Sequence, residues 1–501
     1  AHRTSPTNIG LYLLAVLSAR EFGWIGLEET VTRLENTVAT LNTLERFQGH
    51  FLNWYDTKSC EPLAPRYVST VDSGNLAGHL LAVSQGCQRL RHLAPGSEVV
   101  AGINDAGLLM QHAASLLAAN DDIEVVAPRE LDRALVEFLT SLHSRDAAGF
   151  ERLGEILAEA ETVVDIARTL ATQKGAEELA IWAEALLATV RGHLHDHRSL
   201  AEGTDREYLS RRLAALAERT ADLAAEMDFS FLMDPDNKLL AIGYRVAEKA
   251  LDQSHYDLLA SEARLASFVG IAKGDLPPSH WFRLGRPMTP MGAEAALISW
   301  SGSMFEYLMP LLVMRSPPES ILDTTYRAVV RRQIEYGSER QVPWGISEAA
   351  FAARDIHLVY QYRAFGVPGL GFERGLSEDL VVAPYATLLA TMVEPRDAVV
   401  NLTRLNSLGA LGSYGYYEAL DFTPTRLPED GETVVVRAYM AHHQAMSLVS
   451  LTNVIFDGFC RDLFHSDPSV RAAELLLHER VPRDVEVARP RAEEVAESAR
   501  P

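Results

Sequence analysis

The chain has 501 residues, enough for one large toroid or for two to four ordinary domains, and is 47% hydrophobic and 23% charged. Its 46 Lys and Arg are outnumbered by 68 Asp and Glu, leaving a net charge of −22. Such a surface repels phosphate backbones and anionic lipids, so nucleic acid and membrane contact are excluded, while a neutral polymer is indifferent to it. Three cysteines, Cys60, Cys87 and Cys460, offer no disulfide framework and no CxxC metal spacing. No apolar run reaches the roughly 18 residues of a membrane span. No charged-then-apolar leader opens the sequence, which starts inside a helix signal as a domain excised from a longer protein would.

Helix signals follow almost without pause. Ser5-Pro6 reads as an N-cap and first-turn proline, opening a helix that ends near Gly23. Leu27, Val31, Leu34, Val38 and Leu41 then step by four and three along one face. Further helices are predicted near 73–90, 104–119 and 127–144. Across 149–226 the stripe Leu209, Leu213, Leu216, Leu223 lies between charged faces. More helices are expected near 252–272, 291–313, 320–338, 378–393, 396–408 and 438–456. Strand-like runs are few and short, Thr433–Arg437 being one. Aromatic, Gly- and Pro-rich loops fall at 47–70, 277–290, 339–347, 360–375 and 411–428. A train of antiparallel helices fits a toroid, a bundle or a solenoid, but no fixed-period repeat is present. Residues 145–250 are Ala-rich and poor in motifs and read as scaffold helices; 252–456 carries most of the site motifs.

Two glutamates stand in unusual company. Glu262 lies in Tyr256-Asp257-Leu258-Leu259-Ala260-Ser261-Glu262-Ala263-Arg264, and Glu348 in Val342-Pro343-Trp344-Gly345-Ile346-Ser347-Glu348. A pair of carboxyls among aromatic rings suits glycosidic bond chemistry: one protonates the leaving oxygen, and the other attacks the sugar or activates water. Glu262 reads as mid-helix on an apolar face, where it is either a general acid with a pKa raised by burial or half of an ion pair with Arg264 or Arg286. Glu348 reads as the first turn of a helix, whose dipole keeps a nucleophile ionised, or as a plain first-turn acid. Glu306 and Glu418, in Met304-Phe305-Glu306-Tyr307 and Tyr416-Tyr417-Glu418, are competitors, read as substrate-binding or supporting acids.

Trp54, Trp281, Trp300 and Trp344 lie in or beside loops, and about half of them are expected to touch sugar. Tyr55, Asp72, Asn75, Tyr256, Asp257, Arg264, Arg286, Tyr360 and Tyr416 supply further rings and hydrogen-bonding groups for a sugar, although Asp72 is equally a helix cap. His442-His443-Gln444 reads as sugar contact or core bonding. Adjacent helical histidines diverge by about 100° and chelate poorly, so neither metal nor cofactor is expected. Gly369-Leu370-Gly371-Phe372-Glu373-Arg374-Gly375 lacks GxGxxG spacing, and no Walker A or GxSxG motif occurs.

Tyr67–Leu76, His280–Arg286, Trp300–Tyr307 and Tyr439–Gln444, in that order along one chain, carry a resemblance. From Thr4 to about Arg483 the sequence resembles the central glucoamylase-like domain of bacterial cyclic β-1,2-glucan synthases (glycoside hydrolase family 189). The resemblance implies an all-α (α/α)6 toroid with additional helices over 1–501. It further implies anomer-retaining cyclization of linear β-1,2-glucan, with Glu262 as acid/base and Glu348 as nucleophile. Linear and cyclic β-1,2-glucan would be the ligands. The other regions of a membrane-bound synthase would be neighbours, placing this segment on the cytoplasmic side of the inner membrane. Two alternatives stay open: an endo-β-1,2-glucanase on the same fold, with carboxyls about 6.5–9.5 Å apart if inverting against about 5–5.5 Å if retaining, and a non-catalytic glucan-holding domain.

Overall fold

The structure is a computed structural model that describes residues 2–92, 96, 98–118, 126–144, 153–170, 177–201, 203–259, 261–291, 294–429 and 431–481. Parts of the expected 145–250 scaffold lie outside these residues. The chain divides into two compact units. One comprises Val16–Ala39 and Gly86–Glu218; the other comprises Ala1–Ala15, Thr40–Gln85 and Arg219–Pro501.

The described residues of the first of these units are mostly helical. Helices Glu98–Ala118, Val126–Ser144, Leu153–Leu170 and Glu177–Ala201 share one apolar cluster. In Leu153–Leu170 the buried positions are Leu153, Ile156, Ala160, Val163, Val164, Ala167 and Leu170, the three-and-four spacing of one helix face. Helix Leu27–Thr43 buries Leu27, Val31, Leu34, Val38 and Leu41 as their spacing predicts. Its free N-terminal amides are taken by Asp196, whose carboxylate accepts from Leu27 N and from Glu28 N at 3.1 Å.

The larger unit mixes short helices with small antiparallel sheets. Helix Pro6–Glu21 opens as expected, with Asn8 N donating to Ser5 Oγ at 3.2 Å. Strands Tyr67–Ser69, Gly243–Arg245 and Ala250–Leu251 form one sheet, and Val381–Val382, Ala419–Asp421 and Val434–Val436 another.

Four helix expectations are corrected here. The segment near 252–272 becomes helical only at Arg264–Lys273. Residues expected to be helical near 291–313 form the hairpin Met288–Met291 with Glu294–Leu297, then a short helix Met304–Leu308 and a 3₁₀ turn Met309–Leu312. The segment near 378–393 holds strand Val381–Val382 and then only Pro384–Ala390 as helix. No helix follows Glu348: Ala349–Arg354 is a strand paired with Tyr360–Arg363. The alanines of these segments favour helix by local propensity, and pairing with a second strand overrides it.

Candidate active site

Glu262 lies in the turn before helix Arg264–Lys273. The preceding Ser261 has φ of 57°, a left-handed conformation uncommon for a residue with a side chain. That turn lets the Ser261 hydroxyl donate to Glu262 Oε2. Glu262 is 5% exposed. Burial pushes its carboxyl up to about 7, against the pull of the Ser261 hydroxyl and assisted by the negative field of Asp72 and Glu306.

Glu348 is half-buried, at the point where the chain leaves the turn around Gly345 and enters strand Ala349–Arg354. Gly345 has φ of +119°, which a side chain would strain, and its carbonyl accepts from Ala383 N at 2.9 Å. The turn is thereby fixed to the segment leading into helix Pro384–Ala390. With no helix behind it, Glu348 gains no dipole stabilisation. Burial and the neighbouring carboxylates, Glu262 first and then Glu306 and Glu418, push its pKa well above the usual range. The expected lowering is thus reversed. Two buried carboxyls sharing one cavity ionise in turn rather than together, which favours a form with one proton between them.

Glu262 and Glu348 face one cavity of about 450 Å³, together with Ser261, Trp300, Ser301, Phe305, Glu306, Ala364, Phe372 and Glu373. Trp300 stacks on Tyr256 at 5.4 Å between ring centroids. Glu306 is an internal fastener as well as a pocket wall. It accepts from Ser299 Oγ at 2.8 Å, Ser301 Oγ at 2.6 Å and Ser301 N at 3.0 Å, and forms a capping box with Ser303. Glu306 therefore shapes the loop that carries Trp300.

A second group grips the backbone on both sides of Glu348. Tyr385 Oη donates to the Glu348 carbonyl at 2.9 Å and lies 2.8 Å from Ser347 Oγ, which also accepts from Phe305 N at 3.0 Å. Two residues on, Ala350 N donates to Glu418 Oε1 at 3.1 Å. His443 Nδ1 sits 2.9 Å from that oxygen, so Nδ1 carries the hydrogen that Glu418 accepts. The His443 ring lies flat on Tyr385, 3.7 Å between centroids. Tyr362 Oη lies 3.3 Å from His443 Nε2 and 3.4 Å from His442 Nε2. Glu418 is 2% and His443 1% exposed, so both act through the Glu348 backbone rather than on a ligand in the cavity. Gln444 Nε2 donates to the Tyr416 carbonyl at 3.0 Å, and the Tyr416 hydroxyl to Leu402 O at 3.2 Å.

Other expected contacts are spent inside the protein. Arg264 pairs with no glutamate among the described residues; fully buried, it donates to the carbonyls of Glu306 (2.9 Å) and Tyr307. Arg286 pairs with Glu479. Trp281 is 1% exposed and packs edge-on to Phe268. Trp344 is buried beside Gly337, its amide donating to Asn401 Oδ1 at 3.1 Å. Tyr55 is buried and donates to Glu45 O at 2.6 Å. Asn75 donates to Thr7 Oγ1 at 3.2 Å, and Asp72, half-buried, accepts from the same hydroxyl at 2.6 Å. Trp54 lies half-buried beneath the Arg3 guanidinium, 4.5 Å from its ring centroid. Asp257 Oδ1 caps its own turn, accepting from Leu259 N at 2.9 Å, and Tyr360 is held by Arg354 at 2.6 Å.

Sequence reasoning missed Phe305, Phe372 and Glu373 in the cavity wall and Tyr362 and Tyr385 behind it. The Phe372-Glu373 pair was legible as an aromatic–acid dipeptide inside a Gly-rich loop.

Residues 254–468 match the Glycoamylase family model, described as putative glucoamylase. The chain's fold is that of the (α/α)6 glucoamylase-like class. An endo-β-1,2-glucanase from Chitinophaga pinensis superposes with a TM-score of 0.58 at 14% identity, covering 95% of this chain and 88% of that one. An endo-β-1,2-glucanase from Talaromyces funiculosus gives 0.57 at 12% identity, covering 98% and 84%. In sequence, the chain is 50% identical over 499 residues, 97% of its length, to the cyclic β-(1,2)-glucan synthase NdvB of Rhizobium meliloti (strain 1021). It spans 17% of that protein's length.

Proposed function

We propose that this chain is the cyclizing transglycosylase domain of a larger cyclic β-1,2-glucan synthase, lying on the cytoplasmic side of the membrane that holds the synthase. The observation that carries this reading is the shared cavity of Glu262 and Glu348, with Glu262 shifted to about 7, where a group both gives and takes a proton near neutral pH. The 50% identity to a cyclic β-(1,2)-glucan synthase supports the substrate. The role of each glutamate rests on the family resemblance.

In the first step a Glu348 carboxylate oxygen bonds to the anomeric carbon of a β-1,2-linked glucose. The glycosidic C–O bond breaks, and its oxygen takes the proton held by Glu262, directly or through a hydroxyl. The step starts from the one-proton form of the pair in which Glu262 carries the proton and Glu348 the negative charge; because burial raises Glu348 as well, the sugar's developing positive charge has to favour that placement over the reverse. In the second step the 2-hydroxyl at the non-reducing end of the same chain attacks the anomeric carbon. Its proton returns to Glu262, the bond to Glu348 breaks, and the ring closes. The clamp on the Glu348 backbone by Tyr385 and Glu418 keeps the carboxylate on line in both steps.

Hydrolysis differs only in that water attacks, and the endo-β-1,2-glucanase reading is the second one. The cavity wall favours it at one point: Phe372 is 51% exposed, leaving one side accessible to water. Mass spectrometry of products from long linear β-1,2-glucan separates the two. Products one water lighter than the linear series support cyclization; shorter linear chains alone overturn it in favour of the glucanase.

A further inference from the structure

Outside the cavity, residues 411–439 place three tyrosines on an open surface. Tyr414 is 57% and Tyr439 38% exposed, although tyrosine rings this close together could bury one another. Tyr414 meets Tyr439 edge-to-face at 6.1 Å, and Tyr417 lies 5.2 Å from Tyr439 at a tilt of 33°. A side chain at Gly412 would collide with the hydroxyls of Tyr417 and Tyr439, each within 2.7 Å of where its Cβ would lie. The rings are thus packed onto a bare backbone and preset in orientation. Arg437 is exposed, with its guanidinium 6.0 Å from the Tyr417 ring centroid, and among the described residues no carboxylate lies within ion-pair distance of it.

The chain ties this surface to the strand that follows Glu348. Tyr439 leads through Met440 into helix Ala441–Ile455, whose first turn bears His442. Gln444 ties the same helix to the Tyr416 carbonyl. His442 meets Tyr362, which is 41% exposed and stands opposite Ala350, two residues beyond Glu348. Tyr362 and His442 thus link the Glu348 strand to the helix that follows Tyr439.

We propose that Tyr414, Tyr417, Tyr439 and Arg437 form a second glucan-binding platform that holds glucose units remote from the bond being cleaved. The inference rests on the β-1,2-glucan reading of the cavity. Pyranose faces present C–H groups that pack on exposed rings, and the Arg437 guanidinium, which meets no carboxylate among the described residues, suits sugar hydroxyls at the edges. A neutral glucan is the polymer that a chain of net charge −22 does not repel. A platform at a distance also meets a requirement of ring closure, because the far end of the chain has to be held while the cleaved end stays on the enzyme.

The test uses Tyr414→Ala and Arg437→Ala, both at exposed positions, in two backgrounds. In the Glu348→Gln background, calorimetric titration with long linear β-1,2-glucan should show binding weakened about three- to tenfold by each substitution. Titration with the shortest β-1,2-gluco-oligosaccharide that binds the parent should change less than twofold. In the active background, KM for long glucan should rise by the same factor, with rings shifting in size or giving way to linear products. Equal weakening for short and long glucans would overturn the platform by placing the effect in the cavity, as would no weakening for either. Binding that behaves as expected in the Glu348→Gln background, with no turnover by the parent, would retain the platform and overturn the transglycosylase reading alone.

Discussion

The apolar cluster around Leu153–Leu170 and the loop-rich region around Glu262 and Glu348 bury different kinds of group, even though the helical unit also buries Arg20, His193 and Asp196. The first hides Ile156, Val163, Val164, Leu186, Leu187 and Val190, all apolar and all at helical spacing. The second hides Glu262, Arg264, Glu306, Glu418, Asp421 and His443. Apolar burial stabilises without regard to direction, so a periodic stripe suffices. A buried charge costs free energy unless each atom meets a partner, so that region needs turns, strained residues and long-range hydrogen bonds. One region holds the fold, and the other uses stability to hold reactive groups.

The largest effect that would separate them is on turnover. Glu348→Gln and Glu262→Gln should each lower kcat on β-1,2-glucan by about 10³-fold or more. Neither should lower the melting temperature, because each removes a charge from a mutually repelling set; a fall in melting temperature matching the loss of activity would make these residues structural instead. Next comes His443→Phe. It keeps a ring against Tyr385 but strips Glu418 of its Nδ1 partner, and leaving a buried acceptor without its donor costs about 1–3 kcal/mol. Denaturant melts should show that loss, and the surviving folded fraction should have a reduced kcat because the Glu348 strand is less firmly held. In the helical unit, Leu186→Ala should cost about 2–5 kcal/mol by opening a cavity, while kcat per folded molecule stays at the parent value. A changed kcat there would erase the division of labour.

The pH dependence of stability sharpens the same contrast. Glu262 holds its proton more tightly folded than unfolded, with a carboxyl raised from 4.5 to about 7. Its contribution is present in full below pH 4.5 and is lost as pH rises through 7. Over that window the folded state should lose up to about 3 kcal/mol from this one group. Urea melts across the window should show the decline in the parent and a flatter profile in Glu262→Gln. A parent profile that is already flat would remove the raised acid.

What the sequence revealed follows the same line. Leu27, Val31, Leu34, Val38 and Leu41 declared their helix because one periodicity and one apolar face are local properties. Val434–Val436 declared its strand in the same way. Glu262 and Glu348 were legible as a pair from their aromatic surroundings. The direction of the Glu348 shift was not, because Ala349–Arg354 reads as helix by composition and becomes strand only through Tyr360–Arg363, and because Glu262, Glu306 and Glu418 arrive from distant positions. Arg264 looked like a partner for Glu262, yet its guanidinium turns to the carbonyls of Glu306 and Tyr307. Which of several nearby groups a buried cation satisfies is decided by tertiary geometry, which sequence spacing does not encode.

The smallest predicted effect bears on the acidic surface. A net charge of −22 would dominate recognition of any charged polymer, and salt would then change binding severalfold. A neutral glucan releases no counterions, and the contacts it would make with Trp300 and Phe372 in the cavity wall are close-range packing that salt hardly screens. KM for β-1,2-glucan should therefore change less than twofold between about 0.05 and 0.5 M NaCl, a span over which the Debye length falls from roughly 14 to 4 Å. A severalfold change would mean that charge takes part in recognition, and the chemistry assigned to the cavity would have to make room for an ionic substrate. A flat response leaves the acidity to solubility and recognition to the rings.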